Sequence, residues 1–185
     1  MELITLFRIV IIFTCLQRIF ELFIAKRNEK SILALGGQII KEKNYIFMVL
    51  LHTSWLLGLL YFAFSDRLGS INPLLFYGAL IFFLIGQVLR ITAIWTLGER
   101  WSTRIVILPE APVVKKGIFN FFRHSNYLGV VFELAALPLM GGLFVYAIVF
   151  SILNGIILFF RIREEEAMLC QYNDYQDKFL SESRP

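Results

Sequence analysis

VKKGIFNFFRHSNYLG, ending at Gly129, and RIREEEAML (Arg161 to Leu169) bracket the stretch that decides the fold. Between them the chain is apolar to Phe160, with Glu133 the sole acidic or basic residue inside. Lys115 to Asp177 therefore reads as a basic loop, an apolar hairpin and a charged tail. The run is too long for one crossing of about 20 residues, and Pro138 and Gly141-Gly142 break it. Two helices joined by a tight turn fit, roughly Tyr127–Leu139 and Leu143–Phe160, the first short for a full crossing. Such a hairpin returns both polar ends to one membrane surface.

Moving outward, 58% of the 185 residues are hydrophobic and the mean hydropathy is +0.70. Soluble domains hold roughly 45–50% apolar residues, and here the excess lies in long runs. The chain reads as an all-α integral membrane protein of one domain, residues 1–185. The net charge of +4 comes with basic residues flanking the apolar runs. That pattern fits membrane orientation, and the phenylalanines lie inside spans, so no nucleic-acid surface is expected. Cys15 and Cys170 form no C-x-x-C pair, so neither a disulfide framework nor a metal site is expected. The first run carries Arg8, Arg18 and Glu21 and no small-residue cleavage site, so it reads as a retained helix.

Three further spans precede the hairpin. Leu3 to Ala25 places Arg18 and Glu21 three apart on one helix face, where they pair. A polar loop, Ala25 to Asn44, turns at Gly36-Gly37. Tyr45 to Phe64 holds His52. After the short loop SDRLGSIN, a span from Pro73 to near Leu97 carries Arg90, which should face protein or water. The second polar loop, Gly98 to His124, has Pro109 and Pro112 keeping its middle extended. About five transmembrane helices put the three basic segments on one side, the cytoplasmic side by charge bias. The N-terminus is then outside, and the C-terminal tail is cytosolic.

Chemistry concentrates at the two ends of the hairpin. Arg161 and Glu165 are four apart and share a helix face, and Arg163 is positioned to pair with Glu166. Glu165 suits a ligand hydroxyl or amine, and the planar fork of Arg161 suits an anionic group. At the other end, His124 and Tyr127 share a face, and Gly129 permits close helix approach. Each cluster alone is equally well an interfacial helix end with salt bridges. Together on one membrane face they point to a cofactor pocket.

These residues resemble a known family. Gly117, Phe119, Arg123, His124, Tyr127 and Gly129, followed by two apolar helices and then Arg161, Glu165, Glu166 and Leu169, are similar to the isoprenylcysteine carboxyl methyltransferase family of integral membrane enzymes. RNEK (Arg27 to Lys30) and VLLH (Val49 to His52) resemble its short bacterial branch, which includes methyltransferases of alkylpyrones and alkylresorcinols. The resemblance implies S-adenosylmethionine as methyl donor and a lipophilic or prenylated acceptor, either an isoprenylcysteine-like carboxylate or a polyketide lipid hydroxyl. It implies a three-helix part, 1–97, and a cofactor-binding part, 98–185. It implies cofactor contacts from Arg104, Val113, Val114, Phe119, His124, Ser125, Asn126, Tyr127 and Glu165. Arg161 is implied as the catalytic, substrate-side arginine, and the lipid is expected to enter near Arg90, in the bacterial inner membrane. Ser125 stands where the family has proline, and Phe119 where tyrosine is common. His124 and Glu133 are the candidate general bases. A membrane reductase using a nicotinamide cofactor and a non-enzymatic membrane subunit or transporter are the competing readings.

Overall fold

The computed structural model describes residues 2–66, 68 and 70–180. Arg67, in the short connector, and residues 181–185 of the tail lie outside the described residues. Five helices carry the chain: α1 (Glu2–Ala34), α2 (Tyr45–Phe64), α3 (Pro73–Leu97), α4 (Ser125–Met140) and α5 (Phe144–Tyr172). Four are long and apolar enough to cross a bilayer, and α4 is a shorter apolar helix. Their outward faces stay apolar and open, as Phe23, Leu57, Ile81 and Ile152 show. The chain is an all-α, multi-pass membrane protein.

Two helices run further than hydropathy indicates. α1 continues through Lys26, Arg27 and Lys30 to Ala34, since no breaker intervenes before Gly36, which takes φ +82°. α5 continues through the charged residues to Tyr172. Pro138 does not break the hairpin: it lies inside the last turn of α4, and the reversal falls at Gly141–Gly142, with Gly142 at φ +71°. The middle of the second polar loop is turned rather than extended. Ala111 N–H donates to Leu108 O at 3.3 Å, with Pro109 and Glu110 at the corner and Glu110 at φ +61°.

A pair of two-residue strands, β1 (Gln38–Ile39) and β2 (Val106–Ile107), joins the first polar loop to the second in antiparallel register. The second loop also docks on the chain after α5. All three polar segments therefore gather at one end of the bundle. The opposite end is an apolar plug built from Phe7, Ile11, Leu59, Phe76, Leu137 and Met140.

α3 and α4 approach closely through Gly86 and Gly129. A Cβ on Gly129 would stand 2.5 Å from Arg90 Cγ and 2.7 Å from Gly86 O. The Ser125 hydroxyl, at the first residue of α4, donates to Leu89 O at 3.1 Å. Leu89 lies eight residues before the end of α3, so α4 starts roughly 12 Å below it at 1.5 Å per residue.

Candidate active site

The second polar loop is held by the residues that end α5. Asn173 Nδ2 donates to Leu108 O and Ala111 O, both at 2.8 Å, closing the turn from its side-chain edge. Glu110 N–H donates to Tyr172 O at 3.0 Å, and Val113 N–H to Asp174 Oδ1 at 2.7 Å. That backbone bond, with Lys178, holds the Asp174 carboxyl below its usual value. Hydrogen bonding to the charged form is the physical cause.

The two polar clusters meet at Tyr127. Its hydroxyl accepts from Arg161 Nε at 2.9 Å, and Glu165 lines the same cavity. Arg161 is buried. Its Nη2 donates to Thr103 O at 2.7 Å, and its Nη1 lies 2.8 Å from Met48 Sδ and 2.9 Å from Glu42 Oε2. Glu42 also accepts from Ile105 N–H at 2.8 Å. Burial pushes the Glu42 carboxyl up, against the pull of Arg161 and the Ile105 N–H. His124 stacks on Tyr127 and its Nε2 donates to Glu166 at 2.9 Å. The Tyr175 hydroxyl donates to the same carboxylate oxygen at 2.8 Å. Burial and that bond push the Tyr175 phenol well above its usual value. Arg163 does not pair with Glu166: its guanidinium lies over the Phe159 ring, 4.4 Å from the centroid.

One cavity of about 380 Å³ runs from this polar end into the helices. Arg104, Val113, Val114, Phe119, His124, Asn126, Tyr127, Arg161 and Glu165 line it, and so does Arg90 at its inner end. Ser125 does not. Its side chain is fully buried and its hydroxyl is committed to Leu89 O, so it seats α4 rather than facing a ligand. Arg104 also covers the Tyr45 ring, 4.9 Å from the centroid.

The inner end is a layer of charge. Glu21 pairs with Arg18 and Arg90, and Glu133 pairs with the same two guanidiniums. Two cations and two anions cancel, which makes such burial tolerable among apolar helices. Arg18 and Glu21 thus face the cavity rather than a lipid boundary. The arrangement also ties down Glu133 as a candidate base. Sequence reasoning passes over Glu42, Thr103 and Asn173. An acidic residue inside the basic KEKN run and an asparagine ending a long helix are their only sequence marks.

Fold and site together define a multi-pass helical membrane protein whose cavity joins a polar loop layer to the helix faces. The chain belongs to the isoprenylcysteine carboxyl methyltransferase (ICMT) family, whose model matches residues 79–171. It is 30% identical over 168 residues to the uncharacterized protein YpbQ of Bacillus subtilis (strain 168), covering 91% of this chain and 99% of that one. It is also 30% identical over 162 residues to an uncharacterized protein of Haemophilus influenzae (strain ATCC 51907 / DSM 11121 / KW20 / Rd), covering 86% and 93% respectively. No solved structure matches the chain. Family membership makes it a membrane methyltransferase in general class.

Proposed function

We propose that the chain transfers a methyl group from S-adenosylmethionine to an oxygen of a lipidic acceptor, an isoprenylcysteine-like carboxylate or a polyketide-type hydroxyl. The observation that supports this most is the Tyr127 hydroxyl accepting from Arg161 Nε on the wall of a cavity that Glu165 also lines. It unites residues that the family resemblance assigns to donor and acceptor.

The donor set fits such a group. Asn126 Oδ1 is buried without a hydrogen-bond partner in the cavity wall, as an acceptor awaiting a hydroxyl or amine would be. Glu165 supplies a carboxylate for the same kind of group. Val113, Val114 and Phe119 offer an apolar flank for a flat ring, and Arg104 a cation for a carboxylate. When bound, the donor supplies an electrophilic methyl on a sulfonium. The protein's task is then to hold acceptor oxygen and methyl carbon in line and to exclude water. Positioning of that kind contributes on the order of 7–11 kcal/mol at best. By the charge bias of its loops, the polar end faces the cytoplasm of a bacterial inner membrane, and the acceptor enters between helices near Arg90.

Titration calorimetry of S-adenosylmethionine into the purified protein tests this. Glu165→Ala and Tyr127→Phe are expected to weaken binding roughly tenfold, the loss of about one charge-assisted hydrogen bond. Equal affinity in the wild type and both variants, or binding of NADPH instead, would remove the assignment.

A further inference from the structure

His52 lies on α2 and lines the cavity, one turn beyond Met48. Its Nδ1 is 2.8 Å from Met48 O. A carbonyl oxygen only accepts, so Nδ1 carries the proton and Nε2 carries a lone pair. Nε2 has no hydrogen-bond partner among the described residues. Trp55, three residues on and on the same helix face, also lines the cavity, and its buried indole N–H has no acceptor. α2 thus brings a vacant acceptor, His52 Nε2, to the cavity wall. The charged groups that act on the ring are Arg18 from α1, Arg90 from α3 and Arg161 from α5, with Glu21 and Glu133 opposing them in the same layer.

A hydroxyl, which can donate, complements that lone pair. A carboxylate, which only accepts, would set its lone pairs against that of Nε2. Arg161, the cation that would hold a carboxylate, already has Glu42, Tyr127 and Thr103 as partners. A neutral imidazole whose Nε2 carries a lone pair can take the proton of a phenol or enol hydroxyl as that oxygen is alkylated. A carboxylate needs no base.

Resting on the methyl-transfer reading, we propose that His52 is the proton acceptor for a lipid bearing a weakly acidic hydroxyl, a phenol or enol. The hydroxyl proton passes to Nε2 as the O–CH3 bond forms. The S–CH3 bond breaks and its electron pair stays on sulfur. One cationic centre is lost as the imidazolium appears, so the net charge in the cavity is unchanged. The proton then leaves to water through the polar end.

The test uses the full chain in detergent micelles with 4-dodecylphenol, its methyl ether 4-dodecylanisole, and dodecanoate, followed by tryptophan emission without methyl donor. The phenol is expected to bind roughly tenfold tighter than the ether, the worth of about one hydrogen bond, with dodecanoate no tighter than the ether. His52→Asn keeps a donor for Met48 O and is expected to abolish the preference. His52→Gln, which restores an acceptor but not a base, is expected to recover binding while methylation of the phenol stays down at least about 100-fold. Donor affinity is expected to be the same in all three proteins. Equal binding of phenol and ether by the wild type, preference for dodecanoate, or methylation by His52→Gln within a few-fold of wild type would each overturn the proposal. The phenol preference is read without donor, so its failure is separable from failure of donor binding, which would sink only the broader reading.

Discussion

Replacing Arg161 with methionine separates a structural role for this residue from a purely substrate-facing one. Arg161 and Glu42 are buried against each other, with side chains 6% and 3% exposed. Arg161→Met leaves the Glu42 carboxyl in the same pocket without its cation and removes the bonds to Tyr127 and Thr103. Breaking one side of a buried ion pair costs about 3–5 kcal/mol. At roughly 2–4 °C per kcal/mol for a chain of this size, the melting temperature is expected to fall by roughly 6–20 °C. Adding Glu42→Gln removes the stranded charge and keeps an acceptor for Ile105 N–H. The double variant is therefore expected to regain about 2 kcal/mol or more over Arg161→Met. Acidity acts in the same direction. The folded Glu42 carboxyl titrates above its unfolded value near 4.5, and loss of Arg161 raises it further. Its contribution is fully present below the unfolded value and is lost as pH rises through the folded one. Arg161→Met is thus expected to recover stability between pH 7 and pH 5. Thermal unfolding in detergent, followed by tryptophan emission at both pH values, reads all three quantities. A double variant no more stable than Arg161→Met, or a drop below about 2 °C, would show that Arg161 is not the buried partner described above.

Gly129→Ala is expected to force α3 and α4 apart, because the added methyl meets Arg90 Cγ at 2.5 Å and Gly86 O at 2.7 Å. A loss of about 1–3 kcal/mol in thermal unfolding is expected, and an unchanged melting temperature would contradict the close crossing. Asn173→Ala removes both 2.8 Å bonds that close the turn of the second loop. Protection of the Glu110 amide from hydrogen exchange is expected to fall roughly 30-fold, the equivalent of about 2 kcal/mol. Asp174 has a folded pKa below its unfolded value of 3.8. Any stability advantage of the wild type over Asp174→Ala is therefore expected above pH 3.8 and to vanish as pH falls through the folded value. Melting temperatures of the two proteins across that range decide it.

Hydropathy located α2 and α3 well because uninterrupted apolar runs there end at strong signals: Asn44, Ser65, Pro73 and Gly98. It stopped α1 and α5 short because it measures the lipid-facing length of a helix, and both continue as polar helix. β1 and β2 are too short to carry any periodicity. Proline chemistry misled at Pro109 only. Pro138 lies where its helix is already ending, and Pro109 opens a turn instead of stiffening a strand-like loop. The His124–Tyr127 and Arg161–Glu165 clusters were visible as local motifs. Glu42 and Asn173 were not, since each acquires its meaning from a partner supplied by distant chain.

α4 begins level with Leu89, two helical turns short of where α3 ends. A molecule seated beside His124 and Tyr127 would therefore lie against helix faces, roughly 12 Å below the end of α3. Under the proposed methyl transfer, a long-chain acceptor would reach that level from within the bilayer, and the water-soluble donor would come down from the polar end. Turnover should then respond to how much lipid-phase reactant each membrane holds per unit area, and hardly at all to its concentration in the surrounding water.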